Sequence, residues 1–275
     1  MAQFSTPFRC FDGSAKPFEP FWKFSNAADG SAELELFGPI SEYSWMGDEV
    51  TPQKFREDLY THGKGGPVTV KINSPGGDVI AASVMRSIIS EYPGEVTTRI
   101  DGIAASAAVI VALAGKTVKI YDSAYMMIHD PAVVVMMAAL NIETLGKLRD
   151  DLKSIKDGIV SAYAARTELS EDKISRLMQD ETWMSAREAV DLGFADEVIA
   201  GGQRKPQNSN AHGFVNALLN YANVPDGVLA LFEESTTEDA PEAQDEKQTA
   251  AGIDPIKVSR LRNYLKVYGP TQKGA

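Results

Sequence analysis

The sequence predicts an α/β fold, because from residue 21 to residue 193 runs of strand character alternate with runs of helical character. Composition agrees: 44% hydrophobic and 24% charged residues lie in the ordinary globular range, which excludes disorder throughout and a fibrous repeat. At 275 residues the chain can hold one substantial core and an appendage.

The elements follow in order. Phe21 to Ser25 and Ala32 to Phe37 flank the turn-rich 26–30 and read as a β-hairpin. A helix is expected over Pro52 to Tyr60, a strand at Val68 to Ile72, a helix from Asp78 to Tyr92 and a strand at Val96 to Ile100. A small-residue helix follows from Ser106 to Ala114, then strands at Thr117 to Tyr121 and Ala124 to Ile128. Ile142, Leu145, Leu148, Leu152, Ile155 and Ile159 recur at three- and four-residue steps, one apolar stripe on a helix reaching about Ala165. Such a stripe needs a partner surface, either the chain's own core or another subunit. Ser185 and Glu188 form a capping box that opens a further helix, closed at Gly193.

Beyond Ala200 the pattern stops. Residues 201–210 read as a linker by their turn residues. Glu233 to Gln248 carries seven acids against the single base Lys247, too little apolar area to offset chain entropy, so this stretch is expected to be disordered. Lys257, Arg260, Arg262 and Lys266 then sit among apolar residues as a short basic helix or a solvated tail. The expected organisation is an N-terminal extension with the first hairpin strand over 1–30, a folded domain over 31–200, and a linker and tail over 201–275.

Several function classes fall away. A net charge of -11 argues against a nucleic-acid-binding surface covering the molecule. Cys10 is the only cysteine, so no intrachain disulfide or thiolate cluster can form within one chain, and a reducing compartment is the simpler inference. The N-terminus lacks a basic start followed by an apolar run, so export is not expected and a cytoplasmic location is. The most apolar stretch, Ile103 to Ala114, is much shorter than the ~20 residues that span a bilayer.

Of the three histidines, His62 lies in a polar turn and His212 in the linker, whereas His129 ends a strand before Asp130-Pro131. A lone strand-end histidine is ordinarily structural, and no second histidine or cysteine nearby suggests a metal site. Ser106 sits where a strand passes through a glycine turn into a helix of small residues. That turn points a hydroxyl outward, and the helix's first amides favour negative charge beside it; a plain N-cap serine needs no such role. Asn73-Ser-Pro-Gly-Gly-Asp78 places two glycines after an apolar strand, so its amides can approach an anion. It lacks the Gly-Lys-Ser/Thr ending of a nucleotide-phosphate loop.

Taken together, Ile-Asn-Ser-Pro-Gly-Gly at 72–77, Gly-Ile-Ala-Ala-Ser-Ala at 102–107 and Met-Ile-His-Asp-Pro at 127–131 resemble the ClpP peptidase family. Ser-Ala-Arg-Glu-Ala-Val at 185–190 and Leu-Gly-Phe-Ala-Asp at 192–196 extend the resemblance over roughly residues 30 to 200. The segments Glu42 to Val50 and Asp180 to Ser185 look more like phage and prophage head-maturation members. The resemblance implies a ClpP/crotonase-like fold of repeated ββα units, ending in a disordered tail. It implies a serine endopeptidase without cofactor or metal, with Ser106 as nucleophile and His129 as its base. Gly77 and Ala107 become the oxyanion amides, and Asp180 the orienting carboxylate with Glu181 in reserve. Asp130 is a poor third member, because neighbours in a strand point to opposite faces. The implied partners are peptide substrates, among them capsid or scaffold proteins, and copies of the chain in a homo-oligomeric ring. No site for a partner ATPase is evident. After Pro131, Ala132-Val-Val-Val-Met-Met137 replaces the glycine-bearing strand usual in the family, which leaves ring stacking open. Two alternatives stand beside this: a crotonase-type acyl-CoA enzyme, and a non-catalytic assembly subunit.

Overall fold

The structure is a computed structural model that describes residues 24–26, 32–43, 49–133, 140–201, 217–218 and 220–228. The Glu42 to Val50 segment and the stretch after Pro131 therefore lie partly outside the described residues. The acidic segment over 233–248, the basic C-terminal segment, Cys10 and His212 lie wholly outside them.

The expected hairpin forms: β1 (Phe24–Asn26) runs antiparallel to β2 (Ala32–Phe37), with Phe24 opposite Leu34. From β2 the sheet continues in parallel through β3 (Val68–Ser74), β4 (Val96–Ala105), β5 (Thr117–Tyr121) and β8 (Glu197–Ile199). Parallel strands need crossover connections, and α1 (Pro52–Gly63), α2 (Val79–Glu91) and α3 (Ala107–Ala112) supply them. Leu34, Leu36, Val70, Ile72, Ile100 and Ile120 are buried in the sheet beneath Phe55, Leu59, Ala82, Met85 and Ile89 of α1 and α2. Each aliphatic side chain removed from water in this way stabilises the fold by roughly 1.5–3 kcal/mol.

One strand positions the functional residues. β4 extends five residues past the expected end at Ile100 and divides its pairing: Thr97–Ile100 pairs with β5, while Ile103–Ala105 pairs with β6 (Tyr125–Ile128). β6 in turn pairs antiparallel with β7 (Thr182–Ser185), with Met127 opposite Trp183 and Ile128 opposite Thr182. The sheet thus branches, and the carboxyl ends of β4 and β6 lie side by side. In α/β sheets ligands bind outside such strand ends.

Most helices match expectation within two or three residues, with Asp78 capping α2 through Ala81 N–H and Asn141 capping α4 (Ile142–Thr167) through Thr144 N–H. Two differences have physical causes. The small-residue helix begins at Ala107 rather than Ser106, because Ser106 has left-handed φ and makes no capping bond. The stripe on α4 is only partly covered: Leu148, Leu152, Ile155 and Ile159 are half-buried, yet Ile142 is 90% and Leu145 51% exposed. The elements α5 (Glu171–Gln179), β7 and β8 were not foreseen. No described helix is long and apolar enough to cross a membrane.

α6 (Ala186–Asp191) carries the expected capping box: Ser185 Oγ accepts from Glu188 N–H and the Glu188 carboxylate accepts from Ser185 N–H at 2.9 Å. These bonds hold the Glu188 carboxyl below its ordinary range, so their contribution is present at neutral pH and is lost as pH falls through that lowered value. Ser185→Ala is expected to cost about 0.5–2 kcal/mol, read as a lower denaturation midpoint with an unchanged urea slope.

Packing also continues past residue 200, where the sequence suggests only linker and tail. Leu218 and Val228 are buried against Ile103, Ala105 and Met127. The cause is tertiary: β4 and β6 expose an apolar surface beyond the helices, and this segment covers it.

Candidate active site

Ser106 follows β4 and precedes α3 with φ 54° and ψ −122°, a conformation that an L-residue adopts only under constraint. The constraints are visible. Ser106 N–H donates to the Met127 carbonyl at 2.8 Å, which ties the turn to β6. Gly76 presses against the turn from the other side: a Cβ there would stand 2.5 Å from the Ala105 carbonyl oxygen and 2.9 Å from Ser106 Cβ. The result is a sharp strand-to-helix elbow that aims Ser106 Oγ away from the sheet.

His129 follows the last residue of β6, and its Nε2 lies 2.7 Å from Ser106 Oγ. The structure therefore brings together the two residues singled out in sequence, 23 positions apart. Burial lowers the His129 pKa, opposed by the carboxylates of Glu181 and Asp130. The imidazole is thus kept neutral near pH 7, the form that can take a proton.

The loop over 73–78 is built to stand beside this pair. Asn73, 1% exposed, accepts from Ile103 N–H at 3.1 Å, and Ser74 Oγ accepts from Gly76 N–H at 3.1 Å. Gly76 and Gly77 have φ of 92° and 141°, and Ile40 pairs with the loop through Gly76 O and Asp78 N–H. A Cβ on Gly76 would lie 3.0 Å from Ala107 N, so the glycine loop and the first amide of α3 line one small space. Among the described residues, neither Gly77 N–H nor Ala107 N–H has a protein acceptor. Gly76→Ala is expected to strain the loop by about 1–3 kcal/mol and to displace the elbow. Fluorophosphonate labelling of Ser106 should then slow at least tenfold, with a modest drop in melting temperature.

The expected third member does not join. Asp180 is the exposed C-cap residue of α5; its N–H donates to the Arg176 carbonyl, and no interaction links its carboxylate to His129 among the described residues. The neighbouring Glu181 bears on the His129 charge, although among the described residues its carboxylate makes no hydrogen bond to the ring either. Continuing the β6–β7 register by one residue sets Glu181 across from His129, with φ of 48°. Its Oε1 accepts from Trp183 Nε1 at 3.4 Å and from Asn223 N–H at 2.7 Å, and its Oε2 accepts from Ala222 N–H at 2.9 Å. Asp130 turns away, as its place in the strand suggested, and pairs with Lys156 at 2.7 Å.

Tyr221 was missed. Its ring meets His129 edge-on at 5.1 Å and Trp183 at 6.1 Å, and its hydroxyl donates to the Pro75 carbonyl at 2.6 Å. Burial pushes its phenol up to about 12. His62, in the last turn of α1, sits beside Asp58 and takes no part.

The chain is similar in sequence and in fold to known proteins. The sequence model described as Clp protease matches residues 58–202. ATP-dependent Clp protease proteolytic subunit 1 of Protochlamydia amoebophila is 30% identical over 139 residues, 49% of this chain and 66% of that protein. The same subunit of Chlamydia abortus is 31% identical over 137 residues, 49% of this chain and 71% of that protein. Subunit 2 of Thermobifida fusca is 30% identical, over 48% of this chain and 64% of its own length. The match thus spans about two thirds of these relatives. A solved structure of a ClpP1 point mutant from Listeria monocytogenes superposes with a TM-score of 0.53 at 22% identity, covering 62% of this chain and 91% of that one. That likeness carries the fold alone.

Proposed function

The chain belongs to the Clp protease family, and from that membership we propose that it is a serine endopeptidase with Ser106 as nucleophile and His129 as base. The observation that carries this is the 2.7 Å contact between Ser106 Oγ and His129 Nε2 at a left-handed strand-to-helix elbow. In this reading His129 takes the Ser106 proton as Oγ attacks the scissile carbonyl, and an acyl-enzyme forms. The same proton passes to the leaving amine; water then repeats the sequence and frees the serine. Gly77 and Ala107 amides hold the oxyanion, each worth about 3–4 kcal/mol of barrier. Glu181, rather than Asp180, steadies the imidazolium, since it is the carboxylate that acts on the His129 charge most strongly.

An extended peptide reaches such a site by pairing with a strand edge. The uncovered N-terminal half of α4, with Ile142 and Leu145 outward, supports assembly with further copies of the chain into a ring. For the substrate, the resemblance of residues 42–50 and 180–185 to phage and prophage members favours limited processing of capsid or scaffold proteins in the host cytoplasm. A crotonase-type acyl-CoA enzyme would share the fold but works through carboxylates and has no use for a bonded Ser–His pair.

The test is incubation of purified protein and its Ser106→Ala form with a fluorogenic peptide and a capsid precursor. Ser106-dependent cleavage of both is the expected result. Cleavage of the peptide but not of the precursor would remove the capsid reading and leave the peptidase standing. Equal inertness of both forms would favour the non-catalytic assembly subunit.

A further inference from the structure

The described residues 217–218 and 220–228 lie beside Ser106 and His129 instead of leaving the molecule. Its backbone makes short turns, with Tyr221 N–H donating to the Leu218 carbonyl at 3.0 Å and Val228 N–H to the Pro225 carbonyl at 2.9 Å. Leu218 and Val228 anchor it on Ile103, Ala105 and Met127, with Val224 and Tyr221 packed alongside.

Between those anchors the segment engages His129, Glu181 and the loop before Gly76. The Tyr221 hydroxyl donates its one proton to the carbonyl of Pro75, which ties the segment to the loop carrying Gly76 and Gly77. The Tyr221 ring covers the edge of His129. The next two amides, of Ala222 and Asn223, take both oxygens of Glu181, which draws carboxylate charge away from the imidazole, and Asn223 Nδ2 reaches the Asp180 carbonyl at 3.4 Å. A peptide approaching Ser106 would meet the same space.

We propose that residues 217–228 form an autoinhibitory strap, an intramolecular occupant of the peptide site that must leave before substrate reaches Ser106. The inference rests on the peptidase reading. The strap is suited to release, since Ala222 and Asn223, which hold Glu181, are themselves exposed to solvent.

The test uses the full chain and its Tyr221→Ala, Tyr221→Phe, Leu218→Ala/Val228→Ala and Ser106→Ala forms. The rate of fluorophosphonate labelling is followed by intact mass, with hydrogen exchange over 217–228. Because apparent reactivity scales with the fraction of molecules that are open, Tyr221→Ala and the double anchor variant should label roughly tenfold faster or more. Tyr221→Phe, which keeps the ring but loses the hydroxyl's bonds, should fall between. Exchange at 222 and 223 should rise in step with labelling. If wild type labels at Ser106 and folded strap variants label no faster, the strap idea fails and the peptidase stands. If exchange shows the strap released yet Ser106 labels in no form, the peptidase reading fails and the strap falls with it.

Discussion

Ser106→Ala is expected to remove peptide hydrolysis almost completely, by on the order of a million-fold in kcat where nucleophile and base act as a unit. That corresponds to about 8 kcal/mol of transition-state stabilisation. Ser106 Oγ is held 2.7 Å from His129 Nε2 by an elbow anchored at Met127 and buttressed by Gly76, so no other described hydroxyl is placed to take over. His129→Ala should cost nearly as much, and the double variant little more than either alone, since each residue is useless without the other. Stability should stay nearly level, because Ala keeps the Cβ that already meets the constraint at φ 54° and loses only the hydroxyl contacts. The check is steady-state kinetics of the three variants, with denaturation midpoints as the control for folding. Near-additive losses would mean that the pair does not operate as a unit, and the assignment of base to His129 would be withdrawn.

Ser106 and His129 were legible as candidates because their signals are local. A glycine turn between an apolar strand and a small-residue helix marks Ser106, and a strand ending before Asp130-Pro131 marks His129. What the sequence hid depends on pairing at a distance. The extension of β4 to Ala105 carries no alternation, because Ile103, Ala104 and Ala105 are all buried and so look like the helix that follows. Glu181 was ranked below Asp180 since nothing in Asp180-Glu181 announces a left-handed residue; glycine or asparagine would have. Only the β6–β7 register decides which of the two faces His129. α5 was within reach: Ser170 precedes it as an N-cap, and Ile174 and Met178 lie four apart on its buried face. The strap's anchors, Leu218, Tyr221, Val224 and Val228, also recur at three- and four-residue steps. Their place between a turn-rich linker and an acidic stretch concealed them, and what they cover is built from strands more than 90 positions earlier.

Substituting the two adjacent carboxylates should separate their roles, with Glu181→Gln losing about 10²–10⁴ in kcat/KM and Asp180→Asn remaining within about twofold. Both are best made in the Tyr221→Ala background, so that strap occupancy is equal in each. The pH profile adds a readout that mere structural damage would not move. His129 is the base only when neutral, so activity falls as pH drops through its pKa, which burial sets below the ordinary histidine value. Its charged neighbours are Glu181 across the strand pair and Asp130 beside it in the chain, and the latter is already paired with Lys156. Both carboxylates favour the imidazolium and raise that pKa. Removing the charge at Glu181 takes away the larger of these contributions, so the acid limb of kcat/KM should move to lower pH while the plateau falls. Asp180→Asn should move neither. A limb that shifts with Asp180→Asn and stays fixed with Glu181→Gln would restore Asp180 to the triad. It would also mean that substrate binding rearranges the turn between α5 and β7. Should the limb move with Glu181→Gln while the plateau holds, the carboxylate tunes the base without steadying the transition state. In that case most of the rate enhancement would rest on the Ser106–His129 contact and the amides of Gly77 and Ala107.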